Sequence, residues 1–135
     1  MSNYDLARNP NTPPEILARL ANDEDWEVRR AVARNPNTPP ETLARLANDD
    51  DYWVCNMVAE NPNTPPETLD RLAVDGNSLN CFCVACNINT LPETLERLAN
   101  YGDQNAHIAL ALNFFTPQYI LTYLKIKKFL NYNTR

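Results

Sequence analysis

Cys81-x-Cys83-x2-Cys86 is the stretch of this chain most suggestive of chemistry, because closely spaced thiols are soft ligands for a metal. Cys55 stands 26 residues before Cys81, and the single histidine, His107, stands 26 residues after it. A histidine beside a thiolate is also the usual way to activate a cysteine nucleophile. Two acidic clusters, Asp23-Glu24-Asp25 and Asp49-Asp50-Asp51, would offer paired carboxylates for general acid–base work. A glycine-rich phosphate loop is ruled out, since Gly76 and Gly102 are the only glycines. Each reading depends on the elements that hold these residues.

The chain has 135 residues, enough for one domain with a modest core. Eleven prolines against two glycines, with abundant asparagine, suggest regular helix starts more than disorder. No apolar run is long enough to span a membrane, and the polar start MSNYDLARNP lacks the apolar core of a secretory signal. Cysteines without an export signal are expected to be reduced thiols, with the cytoplasm as the default location. Residues 118–135 carry Lys125, Lys127, Lys128 and Arg135 and no acid, so the total of −5 splits into +4 there and −9 on residues 1–117. An acidic body argues against nucleic acid as a partner.

Asn-Pro-Asn-Thr-Pro-Pro occurs at 9–14, 35–40 and 61–66, with decayed copies at 87–92 and 113–118, a period of 26 throughout. A half repeat (1–8), four repeats (9–34, 35–60, 61–86, 87–112) and a divergent C-terminal cap (113–135) follow, all in a single domain, 1–135. In each repeat Thr12, Thr38, Thr64 or Thr90 precedes Glu15, Glu41, Glu67 or Glu93 by three residues, the spacing of a capping box. A first helix, A, is expected from Pro13, Pro39, Pro65 and Pro92, with Leu17, Leu20 and Ala21 and their copies on its core face. Glu15 and Arg19, and their copies, are spaced for i,i+4 ion pairs. The acidic clusters recur as the start of a second helix, B, with Val28, Ala31 and Val32, then Val54, Met57 and Val58, facing inward. B should stop at Asn35 and Asn61, where asparagine tolerates a left-handed conformation and proline blocks continuation. Helices this short need neighbours to stack on, which is the logic of an α-solenoid.

The unit Asp23-x-Asp25-x2-Val28-Arg29-x2-Val32-Ala33-x-Asn35-Pro36-Asn37-Thr38-Pro39-x3-Leu43-x2-Leu46-Ala47 resembles the leucine-rich repeat variant family over about residues 5–112. Its Val28-Arg29-x-Ala31-Val32 stretch is similar to HEAT-type repeats. The resemblance implies a right-handed superhelix in which α-helices alternate with 3-10 helices. Together with the residue pattern, it makes the expected fold an all-α solenoid of about four two-helix repeats, α plus short α or 3-10, with a C-terminal capping helix from Thr116-Pro117 onward. Arg29 gives way to Cys55, Cys81 and His107, and Val28 to Asn80 and Ala106, so an irregular or 3-10 segment in the third and fourth repeats is compatible with the pattern. The iron–sulfur cluster of a founding family member sits on a separate cysteine-rich N-terminal segment with no counterpart here, so no cofactor is implied.

In such a stack, neighbouring helices lie roughly 8–10 Å apart, too far for side chains in one column to share a zinc unless they lean together. Cys83 takes the core place of Ala31, Met57 and Ala109, where a cysteine packs well. The expected function is therefore a non-catalytic scaffold for a protein partner. The alternative is a small HEAT-like enzyme, lyase-type helper or metal-binding protein using the Cys81/Cys83/Cys86/His107 neighbourhood.

On a helical wheel, positions 27, 30 and 34 of B and their copies point away from the core. They read Glu27, Arg30, Arg34; then Trp53, Asn56, Glu60; then Leu79, Phe82, Cys86; then Asn105, Ile108, Leu112. This row turns from charged to apolar, and its centre, Trp53, Leu79, Phe82, Ile108 and Leu112, is the candidate partner-binding surface. A final helix to about Leu130 should dock through Leu121 and Leu124. Its second stripe, Tyr119, Tyr123, Ile126 and Leu130, would cover the row, pair with a second copy or meet a partner.

Overall fold

The computed structural model describes residues 1–75, 77–101 and 103–133; Gly76, Gly102, Thr134 and Arg135 lie outside the described residues. The described elements are α-helices throughout: α1 (Asn3–Arg8), α2 (Pro14–Leu20), α3 (Trp26–Arg34), α4 (Pro40–Leu46), α5 (Tyr52–Glu60), α6 (Pro66–Asp75), α7 (Ser78–Cys86), α8 (Pro92–Tyr101), α9 (Gln104–Leu112) and α10 (Gln118–Asn133). Helices α2, α4, α6 and α8 are the A helices and α3, α5, α7 and α9 the B helices. Successive B helices pack on one another, from α1 through α3, α5 and α7 to α9, and each of α3, α5, α7 and α9 packs on its own A helix, which makes the chain an α-solenoid. Helix α1 holds the place of a B helix and α10 that of an A helix, and among the described residues no A helix precedes α1 and no B helix follows α10.

One continuous core runs through the stack. Leu17, Leu43, Leu69 and Leu95 are at most 1% exposed, and Leu20, Leu46, Leu72 and Leu98 at most 4%. Each such leucine contributes about 1.5–3 kcal/mol by leaving water. Val28, Val54, Met57 and Val58 fill the B side. All four B helices are α-helical over nine residues, including α7 and α9, so the drift at Asn80 and Ala106 does not break the helix. Asp25, Asp51, Asn77 and Asp103 cap them, each accepting a backbone N–H of the first turn.

The joints between units differ from expectation in three ways. The capping box does not form at α2 or α4. Pro13 and Pro39 occupy the N-cap and Pro14 and Pro40 the first turn, so one orphan N–H is absent by chemistry. The threonines turn back instead. Thr12, Thr38, Thr64, Thr90 and Thr116 donate to the carbonyls of Leu6, Val32, Val58, Val84 and Leu110, each at 2.6 Å, closing the end of the preceding B helix. A capping box does form at α1, between Ser2 and Asp5.

The asparagines that end the B helices are extended, not left-handed, with Asn35 at φ −68° and ψ 127°. Their side chains make the reason plain. Asn35 Nδ2 donates to Ala7 and Asn9 carbonyls at 2.7 and 2.9 Å, Asn61 to Ala33 and Asn35, and Asn87 to Ala59 and Asn61. Asn113 continues to Ala85. Their Oδ1 atoms accept the N–H two residues on. The result is a buried asparagine ladder that stitches each unit to the one before.

The third difference is in the arginines of the A helices. Arg45 and Arg71 reach back to the carbonyls of Ala18 and Ala44, and Arg97 to Asp70, rather than pairing with the glutamate four residues earlier. Among the described residues the ion pairs are Arg29–Asp49 and Arg97–Asp70, both between units.

Candidate interaction surface

The column of Arg29, Cys55, Cys81 and His107 stands beside the A helices, as the repeat register requires, but its members do not converge. Arg29 donates to the carbonyls of Asp23 and Glu24 and, in a bidentate pair, to Asp49. Cys55 Sγ lies 3.4 Å from the Ala47 carbonyl and Cys81 Sγ 3.6 Å from that of Ala73. The His107 ring meets the carbonyls of Ala99 and Leu98. Cys55, Cys81 and His107 thus each sit at the end of their own A helix, and Arg29 holds the turn that follows α2. Cys83 is buried and its thiol contacts Asn56 Oδ1 at 3.1 Å and Glu60 Oε1 at 3.5 Å.

The electrostatics oppose a reactive thiol. Burial, then the charge of Glu60, pushes Cys83 up to about 12. Burial raises Cys55, Cys81 and Cys86 as well, with help from Asp49, Asp103 and Glu60 respectively. A nucleophilic or metal-binding cysteine needs the opposite shift. Burial and the Lys127 ammonium lower His107, so its neutral form is favoured, and its Nε2 is buried without a partner. Among the described residues no three His, Cys, Asp or Glu side chains are placed to hold a metal ion. None of the helices there is long and apolar enough to cross a membrane.

The outer row of the B helices is only partly as a single wheel suggests. Trp53 is 43% exposed, Leu79 39%, Ile108 47% and Leu112 72%. Asn56, however, is buried and Phe82 half-buried against the core. The physical reason is that a B helix inside a stack has neighbours on two further sides. The position of Arg30, Asn56 and Phe82 faces the seam to the next B helix and opens only at Ile108, where no B helix follows. Trp53 stacks on Tyr52, ring centroids 5.2 Å apart.

Helix α10 docks on α8 and α9 and leaves this row uncovered. Its anchor is Ile120, 1% exposed, whereas Leu121 and Leu124 are half-buried. Tyr119, Tyr123, Ile126 and Leu130 point to solvent, at the places held in earlier units by residues such as Glu93, Arg97 and Asn100. Between α9 and α10 lies a groove of about 760 Å³ with His107, Ile108, Ala111, Leu121 and Leu124 on its walls and Lys125 and Lys128 at its rim. Reading the sequence did not find this groove. It also missed Ile88, Phe114 and Phe115, all exposed. The signal for Ile88 and Phe114 was available, since both replace the proline that is Pro10, Pro36 and Pro62 in the earlier copies.

Comparison with known proteins agrees with the repeat. The family model described as leucine rich repeat variant matches residues 6–25, 26–51 and 56–77. No curated protein and no solved structure gives a match. The matched segments span half of the chain and coincide with helices that recur every 26 residues on a shared core, and on these grounds the chain belongs to the leucine rich repeat variant family.

Proposed function

We propose that this chain is a non-catalytic scaffold that binds a protein partner along the outer row of its B helices, through Trp53, Leu79, Ile108 and Leu112, with the half-buried Phe82 contributing the edge it leaves exposed. The observation that carries this reading is the exposure of Trp53, Leu79, Ile108 and Leu112 at places where the first unit holds Glu27, Arg30 and Arg34. A large aromatic flanked by aliphatic side chains is the composition of an interface centre, and the charged first unit would form its polar rim. The raised thiols support the absence of catalysis. The test is affinity capture from the source lysate with wild type and a Trp53→Ala/Leu112→Asp variant as bait. A partner held by wild type and lost by the variant, at an unchanged melting temperature, is the expected result. Equal recovery by both would remove the row from consideration.

A homodimer through α10 is a second reading, favoured by the solvent-facing Tyr119, Tyr123, Ile126 and Leu130. Light scattering over a concentration series decides it: the dimer reading requires a mass that doubles in wild type and stays monomeric in Tyr123→Asp/Ile126→Asp.

A further inference from the structure

We propose that the C-terminal end of the stack is an unfilled seat for one more B helix, and that its occupant is a short amphipathic helix of a protein partner, apolar on one face and acidic along its flank. The repeat itself measures what is missing. Ala33, Ala59 and Ala85 are fully buried once the next unit is stacked on them, whereas Ala111, at the same position of α9, is exposed. The leucine pairs of the four A helices are at most 4% exposed under their own B helices, whereas Leu121 and Leu124 of α10 are only half-buried. The groove of about 760 Å³ between α9 and α10 is the space that a fifth B helix would fill. Residues 118–133 do not fill it, because α10 continues unbroken to Asn133 where the earlier A helices end and turn into a B helix.

Charge defines the flank. Lys125 stands where Ala21, Ala47, Ala73 and Ala99 line the core, and Lys128 where Glu24 and Asp50 stand in the first two units. Lys127 is held by the carbonyls of Ala99 and Asn100, which leaves Lys125 and Lys128 at the rim of the groove. A covering helix must bring acids to them, or it would bury ammonium groups without counter-charge. A helix laid in a groove with apolar anchors at helical spacing is a common mode of peptide recognition.

A second copy fits poorly. Its one B helix without an A helix ahead of it, α1, carries Asp5 at the position of Ala31, Met57, Cys83 and Ala109. Cys83 Sγ touches Asn56 and Glu60 of the preceding B helix, so Asp5 would be pressed against Ile108 and Leu112, their counterparts in α9.

The inference rests on the scaffold reading for the class of partner, but the seat lies at the end of the stack and excludes Trp53 and Leu79. The probe is a synthetic peptide of residues 47–61, which contains the α5 sequence with Val54, Met57 and Val58 on one face and Asp49, Asp50, Asp51 and Glu60 as acids. It is titrated into the isotope-labelled full chain, and amide shifts are followed. Saturable shifts confined to α9 and α10 are expected. They should be absent with the peptide carrying Val58→Asp, weakened about tenfold in Lys125→Glu/Lys128→Glu, and unchanged in Trp53→Ala, so that the two proposals fail separately. The Lys variants are checked for an unchanged melting temperature, since both side chains are exposed. No saturation at millimolar peptide, or shifts indifferent to the lysines, overturns the proposal. Anionic phosphatidylglycerol vesicles that bind wild type and are not displaced by the peptide overturn it in favour of a membrane surface. Self-association that blocks the peptide overturns it in favour of a second copy.

Discussion

Helix α3 and helix α9 share a backbone length and a core yet meet water with opposite chemistry. Around α3, Tyr4, Arg8, Glu27, Arg30 and Arg34 line a shallow charged groove of about 300 Å³, and Arg29 ties the unit to Asp49 of the next. Around α9, Ile108 and Leu112 and the facing Leu121 and Leu124 of α10 are apolar, lysines edge the groove, and His107 replaces the arginine. The inward residues and the asparagine ladder change little between the two. In this protein the fold is carried by the inward leucines, the capping acids and the joints, and the outer positions are free to diverge. The two sides also differ in closure: the Ser2–Asp5 box and Asp5 itself make the α1 side polar, while the groove beside α9 and α10 is open.

The strongest way to break that comparison is to cut the core at both places. Leu43→Ala, at a site with 0% exposure, should lower unfolding free energy by about 2–5 kcal/mol in a denaturant titration. Leu121→Ala, at the half-buried counterpart in α10, should cost clearly less. Equal losses would show that the C-terminal end is as closed as the middle.

A smaller effect is expected at the joint. Asn61→Ala removes two buried hydrogen bonds and strands the carbonyls of Ala33 and Asn35, for an expected loss of about 1–3 kcal/mol. A loss of a few tenths would mean that the ladder records the stacking rather than supporting it.

The smallest effect is a pH dependence at the open end. His107 is lowered by burial and by Lys127, so its neutral form is the one that fits the fold. Its contribution to stability is full above the ordinary imidazole range near about 6.5 and is lost as pH falls through the lower folded value. Melting temperature measured from neutral pH downward should therefore fall more steeply in wild type than in His107→Asn. Parallel curves would place the imidazole in water.

Much of this architecture was legible because period, leucine spacing and helix-starting prolines are local signals. Leu17 and its copies, and Asp25 and its copies, needed no more than one helix to interpret. Thr38 and Asn35 were misread because their partners lie in other elements. A threonine before two prolines looks like a cap, and nothing nearby reveals that its hydroxyl turns back to Val32. Asn35 finds its acceptors 26 and 28 residues away, beyond any window used to assign a turn. Asn56 and Phe82 were misplaced because a wheel drawn for one helix ignores the two neighbours in the stack. The groove at the end escaped for a different reason: it is the absence of a helix, and only the burial of equivalent residues elsewhere reveals it.

The asparagine ladder makes the length of this protein a matter of whole units. The rungs at Asn35, Asn61 and Asn87 join the same atoms across the same intervals, so loss of residues 35–60 would bring Asn61 onto the carbonyls of Ala7 and Asn9, which now receive Asn35. Arg29 would face Asp75, the counterpart of Asp49 in the next unit. Unequal recombination between copies of such a repeat therefore yields joints of unchanged chemistry. The stack can lengthen or shorten by units of 26 residues while the polar α1 and the open groove beside α9 and α10 are carried along intact.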